Sequence, residues 1–545
     1  MSGAMIPMPV DDPLQSAWLD TNDLGNAERL VRLAKGQLLW VDDLGWVGYD
    51  GRRWSARDGE RMATKLAHDV ARHIDAEAMA LNEIAEDVAA LERAFGWAVP
   101  VEVAKDRVIA LRKHAVKSGN ATATAAMLKQ AQTLISARRE EFDTDPLALN
   151  VANGTIRFAP AEGGGWEARH APHDPTDRMM QMAAFVYDKD AACPDWRERM
   201  ELVQPNREQR RLMQMVYGYI LTGLTSEQKW FIFQGRGGDG KSLTNDVIAR
   251  LMGDYYRHAG VETFLQSGTQ KSGSEHSSDL ARLQGDIRLV TCDEPTARST
   301  WNGTRLKQVT GSLITCRAMH KAEIEYKAHW KLIVEVNPLP AVPTDDDGFW
   351  RRVVAIPWSY QFDKGGQASV PFEQLADHFV NDEGSGILNW MIAGALKWLE
   401  TRRLPISEES ATFTRQYRQS VSTMGEWYME CCEVGDREAL TPSGDLYASF
   451  KQYCENAGAE KVPSQTALGR WLRDKQHEEK KDRTGKRLRK GIRLREGAPL
   501  SAAPDRADAP DPANPNSGVD GRGAPQAPAS NWRDDDDDFG GGWPE

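Results

Sequence analysis

One short stretch constrains this chain more than any other. Trp230-Phe231-Ile232-Phe233 reads as an apolar strand and runs into Gly235-Arg-Gly-Gly-Asp-Gly240-Lys241-Ser242, after which Leu243 to Met252 reads as a helix. The spacing is G-x-x-x-x-G-K-[ST], and its place between strand and helix makes it specific in a chain with 46 glycines. Glycines let the backbone curl so that several N–H groups converge, and the helix N-terminus adds partial positive charge. The pattern predicts an α/β P-loop domain that binds a nucleoside triphosphate. Gly235, Gly237, Gly238, Asp239, Gly240, Lys241, Ser242 and Leu243 would form the cradle. Lys241 would reach the β- and γ-phosphates, and the Ser242 hydroxyl would hold Mg²⁺.

At 545 residues the chain should hold several domains, because single cores rarely grow beyond about 250–300 residues. A hydrophobic content of 40% with 27% charged residues is ordinary for a globular protein. No apolar run approaches the ~20 residues of a membrane helix. Met1 to Asp20 lacks the basic-then-apolar layout of a secretory signal. The six cysteines form no C-x-x-C pair, so neither a zinc site nor a disulfide framework is indicated, and a reducing cytoplasm is expected. The net charge of −12 does not exclude a nucleic-acid partner. Acid gathers in Asp534 to Asp538 and base between Arg473 and Arg495, and local fields decide where a polyanion binds.

The pattern divides the chain into a flexible N-terminus (1–20), a mixed α+β region (21–205), the P-loop NTPase domain (206–375), a helical segment (376–435), a winged-helix domain (436–497) and a disordered acidic tail (498–545). Residues 21–60 suggest a small meander. Apolar positions at helical spacing from about Ala63 to Glu140 predict helices broken near Gly96 and Gly119. Asn153-Gly154 marks a tight turn between strands. Leu446 to Glu455 and Gln465 to Lys475, followed by the turn Thr484-Gly485-Lys486-Arg487 and the strand Leu488 to Leu494, have the outline of a winged helix. Beyond Gly497 the Ala, Pro, Asp and Gly composition cannot bury a core.

Downstream of the glycine loop, Ile287 to Cys292 is a buried-strand pattern ending in Asp293-Glu294. Such a strand end would bring Asp293 to Mg²⁺ and let Glu294 polarise an attacking water. Lys331 to Val336 is a further apolar strand ending in Asn337, a polar tip able to touch the γ-phosphate or hold the lytic water. Arg351-Arg352 precede another strand, and either arginine could be surface charge or an arginine finger reaching a neighbouring subunit's site. Between these strands lies Leu306 to Lys321, whose second half alternates like a hairpin arm with His320-Lys321 near its tip, where cations can contact the phosphates of a single strand.

The order of these motifs resembles the helicase part of phage and plasmid primase–helicases, related to the poxvirus D-five-type proteins and belonging to superfamily 3. The resemblance rests on the P-loop, Arg288-Leu-Val-Thr-Cys-Asp-Glu294, Lys307-x-x-Thr310-Gly311, Arg317-x-x-His-Lys321, Asn337-Pro-Leu-Pro340 and Gly348-Phe-Trp-Arg-Arg352. Upstream, Leu149-Asn-Val-Ala-Asn153-Gly154, Cys193-Pro-x-Trp196 and Gly218-Tyr-Ile-Leu-Thr-Gly223 match the family's preceding domain. It implies an AAA+-type core working as a six-subunit ring that hydrolyses ATP with Mg²⁺, translocates on single-stranded DNA and unwinds forked duplex. Lys241, Asp293, Glu294, the sensor Asn337 and the finger Arg352, rather than Arg351, would be catalytic. Lys307, Arg317, His320 and Lys321 would contact DNA, with Arg487 doing so from the winged helix.

Two departures stand out. Relatives often carry a primase domain ahead of this region, whereas only about 20 residues precede Gly25 here, below the typical 50–250 of a domain. A separate primase is therefore expected as a partner. Ser312 stands where the family commonly has an acidic residue. The acidic tail, with Trp532, Phe539 and Trp543 around five aspartates, resembles the tips of single-stranded DNA-binding proteins and could dock on replication partners, although it ends in Glu545. The rival readings are another P-loop DNA motor, such as a packaging ATPase, a small-molecule kinase, and an ATP-switched DNA-binding or loader protein.

Overall fold

The computed structural model describes residues 12–266, 278–296, 299–311, 313–317, 323–342, 347–362, 370–420, 423–436, 438–458, 462–481 and 484–499. The chain divides at Thr414 into two compact units.

The first unit opens with α-helices that cover a small sheet. The sheet runs in the order Trp54–Ser55, Gly45–Tyr49, Leu38–Val41, Ser136–Ala137. Helix Ala56–Ile84 turns Ala63, Ala67, Val70, Ile74 and Leu81 inward, the helical spacing of an amphipathic face. Helices Val88–Phe95, Val101–Ser118 and Ala121–Leu134 follow, so the helical run breaks near Ala85 as well as at the two glycines. Inside this layer Arg29 and Glu77 pair at 2.8 Å with neither side chain exposed. Arg29 also donates to the carbonyls of Ser16, Leu19, Asp20 and Gly25, which satisfies most of its buried fork. A three-stranded antiparallel sheet follows: Ala148–Val151, Gly154–Pro160 and Trp166–Ala171.

The centre of the unit is a five-stranded parallel sheet in the order Val353–Trp358, Trp230–Gly235, Lys331–Val336, Leu289–Cys292, Tyr256–Ala259. Its inner strands are near-continuous apolar runs, as expected where both faces are covered. Helices Lys241–Met252, Arg207–Ile220 and Gly384–Thr401 contribute to an extensive hydrophobic core around it. The last two cross almost backbone to backbone. A Cβ on Gly218 would lie 2.1 Å from Ala395 N, and one on Gly394 would lie 2.1 Å from Gln214 O. Strands Ile314–Arg317 and Glu323–Tyr326 form an antiparallel pair outside this sheet.

The second unit packs helices Thr423–Cys431, Ser443–Asn456 and Gln465–Asp474 around Trp427, Leu446, Phe450 and Leu472. Its antiparallel strands are Leu440–Pro442, Arg487–Lys490 and Glu479–Lys481, with Cys432–Val434 paired to Ile492–Leu494. Arg489, within the basic stretch Arg473 to Arg495, is only 3% exposed and donates to Glu479 and to the His477 carbonyl. The acidic tail lies outside the described residues. Among the described residues no helix is long and apolar enough to cross a membrane.

Candidate nucleotide site

The loop between strand Trp230–Gly235 and helix Lys241–Met252 has its bend from Gly237, Gly238 and Gly240, at φ of +84°, +67° and +90°. These are left-handed conformations that residues with a Cβ rarely adopt. Two of the loop carbonyls are held from behind: Phe362 N–H donates to Gly238 O at 2.9 Å, and Gln361 Nε2 donates to Gly237 O at 3.2 Å. The loop opens on a cavity of about 1120 Å³ at the C-terminal ends of the parallel strands. In open α/β sheets, ligands bind in that position.

Four side chains form a continuous chain of contacts in the cavity. The Asp239 carboxylate accepts from Gly237 N–H at 3.3 Å, Lys241 N–H at 3.2 Å and Lys241 Nζ at 3.0 Å. Asp239 is 2% exposed and Lys241 4%. Lys241 Nζ also donates to Asn337 Oδ1 at 2.9 Å. Asn337 in turn donates its N–H to Glu294 Oε1 at 2.7 Å and its Nδ2 to Glu294 Oε2 at 3.1 Å. The loop, the tip of the adjacent strand and the carboxylate strand are thereby tied together.

A second set of contacts surrounds Ser242. Its Oγ donates to Glu335 Oε2 at 2.5 Å, and Asn245 Nδ2 donates to Glu335 Oε1 at 2.8 Å. Tyr217 OH donates to Asn245 Oδ1 at 2.9 Å from helix Arg207–Ile220. Burial raises the Tyr217 phenol well above its usual range, with the Glu335 charge adding to it, so it stays a donor. Asp293 faces His258, whose Nε2 lies 3.1 Å from Asp293 Oδ1. Gly237 to Leu243, Asp293, Glu294 and Asn337 all line this one cavity. Sequence reasoning passed over Glu335 and Asn245. The available signal was a single carboxylate inside the apolar strand Lys331–Val336, two positions before Asn337 and so on the same side of the strand.

Other sequence-assigned residues lie away from the cavity. Arg352 donates Nη1 to Gly348 O at 2.6 Å and is only 9% exposed, whereas Arg351 is exposed. A finger has to reach out of its own subunit, and of the two arginines Arg351 is the exposed one. Lys307 is half-buried on helix Gly303–Val309, and Arg317 is exposed at the end of its strand. His320 and Lys321 lie outside the described residues. In the second unit the Arg487 side chain is 67% exposed, 3.8 Å from Glu479.

Comparison with known proteins adds family matches. Residues 27–205 match the family described as D5 N terminal like, and residues 233–352 match a family of unknown function (DUF5906). A protein of Acanthamoeba polyphaga mimivirus named "Putative helicase L207/L206" is 32% identical over 171 residues, covering 31% of this chain and 18% of that protein. "Putative helicase 022R" of Frog virus 3 is 26% identical over 164 residues, covering 29% and 17% respectively. The chain thus spans less than a fifth of the length of these relatives. The solved apo structure of the NrS-1 C terminal region aligns with 62% of this chain and 95% of its own, at 12% identity and a TM-score of 0.33. Residues 27–205 thus match the D5 N-terminal-like family, and the sequence relatives of the chain include viral proteins named as helicases.

Proposed function

We propose that the chain is an ATP-hydrolysing DNA helicase motor of superfamily 3, built on an AAA+-type P-loop core and working as a ring, six-membered by family resemblance, on single-stranded DNA in phage or mobile-element replication. The observation that carries this reading is the linked set Asp239–Lys241–Asn337–Glu294, gathered in one cavity at the ends of adjacent parallel strands. A phosphate-binding loop alone would suit many proteins. A loop lysine coupled through a polar strand tip to a carboxylate suits hydrolysis.

Each residue then has a task. The N–H groups and Lys241 bind phosphate oxygens, for which Lys241 exchanges its contact with Asp239 for the substrate. Glu294, oriented by two donors on Asn337, accepts the proton of the attacking water. Asn337 touches both Lys241 and Glu294, so loss of a phosphate contact at the lysine is felt at the carboxylate. Ser242, Asp293 and Glu335 offer the hard oxygen donors that suit magnesium, which keeps several waters and is held by few protein groups. Bound there, it would neutralise charge on the β- and γ-phosphates.

Arg351 is the finger supplied to a neighbouring copy. Lys307 and Arg317, with His320 and Lys321, form the DNA-contacting segment, and Arg487 adds a contact from a winged-helix module. The deciding experiment is strand separation on a forked duplex with ATP and Mg²⁺, by wild type and Glu294→Gln. Wild type should unwind and the variant should bind ATP without unwinding. ATP hydrolysis with neither unwinding nor stimulation by DNA would favour a different P-loop activity.

A further inference from the structure

Arg199 lies on helix Pro194–Val203, within the segment that matches the D5 N-terminal domain, and it lines the cavity of the glycine loop. Its guanidinium stacks on Phe362 at 4.9 Å and reaches Phe379 at 5.9 Å. It also crowds the loop itself: a Cβ on Gly240 would lie 3.0 Å from Arg199 Nη2 and 3.1 Å from the Phe362 ring. Among the described residues no carboxylate or carbonyl accepts a hydrogen bond from this group, and its Nε is closed to solvent without a partner. Burial alone lowers its pKa to about 10, with no neighbouring acid to restore it. A largely buried, unpaired guanidinium is costly unless an anion completes it. Nothing in the known motifs of the loop accounts for one at this spot.

We infer that Arg199 is a phosphate-binding residue of the nucleotide site, supplied within the same chain by the N-terminal region. The inference rests on the nucleotide reading above and adds a cation that the loop motif does not contain. Phe362 serves two purposes: its N–H holds the Gly238 carbonyl, and its ring holds the planar fork of Arg199 beside Gly240. Arginine suits the task because its rigid fork can engage phosphate oxygens with two parallel N–H groups. The same contact would transmit nucleotide occupancy to the N-terminal region through helix Pro194–Val203.

The test is equilibrium binding of ATP, ADP and adenosine in Mg²⁺ to the full chain as wild type, Arg199→Met, Arg199→Lys and Lys241→Ala, with melting of each protein alone. Arg199→Met keeps the apolar stem against Phe362. It should weaken ATP by roughly 10–100-fold, the range of one charge-assisted hydrogen bond, and leave adenosine unchanged. Arg199→Lys should recover part of the loss. ATP affinity within twofold of wild type for Arg199→Met overturns the inference, whatever the melting temperature does. An equal loss for adenosine also overturns it, since the contact would then be to the base. If Arg199→Met does not fold, Arg199→Lys decides: a loss of threefold or more for ATP alone supports the contact, and an unchanged affinity refutes it. Should wild type bind ATP no better than Lys241→Ala, the nucleotide reading itself fails and takes the Arg199 assignment with it.

Discussion

The carboxylate of Asp239 and the ammonium of Lys241, two residues apart in the glycine loop, form a 3.0 Å ion pair almost closed to solvent. The same carboxylate accepts from the N–H groups of Gly237 and Lys241, so an anion of the protein already takes up donors that a phosphate would use. Gly235 is part of the arrangement, because a Cβ there would lie 1.7 Å from Asp239 Oδ2.

Asp239→Asn should therefore raise ATP affinity by roughly 3–30-fold while lowering the stability of the protein alone by about 1–3 kcal/mol, the cost of leaving a buried charge less well paired. Calorimetric binding and melting with and without ATP measure both. Weaker ATP binding in the variant would show that Asp239 assists the phosphate instead of competing with it.

Glu335 holds Ser242 Oγ and Asn245 Nδ2 together. Glu335→Gln preserves the shape and removes the charge, so the concentration of Mg²⁺ needed for half-maximal turnover should rise by several fold with little change in melting. Glu335→Ala should lose about 1–3 kcal/mol of stability as well, because the buried Asn245 amide loses its acceptor. An unchanged Mg²⁺ requirement in both would restrict Glu335 to a structural role.

The paired arginines should behave differently. Arg352→Ala removes a largely buried side chain bonded to Gly348 O and should cost about 1–3 kcal/mol in stability. Arg351→Ala should leave stability within ±0.5 kcal/mol and cut turnover at least 10³-fold, as loss of a finger does in other NTPases. Mixing Arg351→Ala with Lys241→Ala protein should restore part of the turnover, since an intact site then meets an intact finger. No recovery on mixing, together with full activity of Arg351→Ala alone, would remove the finger assignment.

Stability should fall as pH rises from about 5 to 7.5. Burial pushes the Asp143 carboxyl up to about 7, and the charge of nearby Asp286 adds to it, while the Met180 N–H and Arg288 oppose it. The unfolded value is about 3.9, so the folded state binds the proton more tightly. Its contribution is full below the unfolded pKa and is lost as pH passes through the folded one. The expected loss is about 1–3 kcal/mol over that window, read from urea unfolding at successive pH values. Asp143→Asn should flatten the slope. A slope unaltered by that substitution would place the titration elsewhere.

How much of this was readable in advance differs by feature. The parallel α/β arrangement was legible because four of the five central strands carry long apolar runs, and the loop, Asp293-Glu294 and Asn337 each terminate one of them. The fifth, Tyr256–Ala259, has two half-buried residues and an exposed His258 at the sheet edge, so no apolar run marks it. Glu335 was hidden because an isolated carboxylate in an apolar strand carries no spacing signature. Arg199 comes from a helix in another part of the chain, and its approach to Gly240 exists only once the Phe362 segment has folded over the loop. The division between Arg351 and Arg352 depends on the turn before strand Val353–Trp358, which no periodicity encodes. In the second unit, the three-residue strand Glu479–Lys481 is charged throughout and exposed, so no alternation announced it.

The most direct test of the central claim is the steady-state rate of ATP hydrolysis by the full chain, with and without single-stranded DNA, for wild type and Lys241→Ala. Hydrolysis that rises several fold or more on adding DNA, and is abolished in Lys241→Ala, is the predicted result. A rate indifferent to DNA, or one that survives loss of Lys241, would contradict the account.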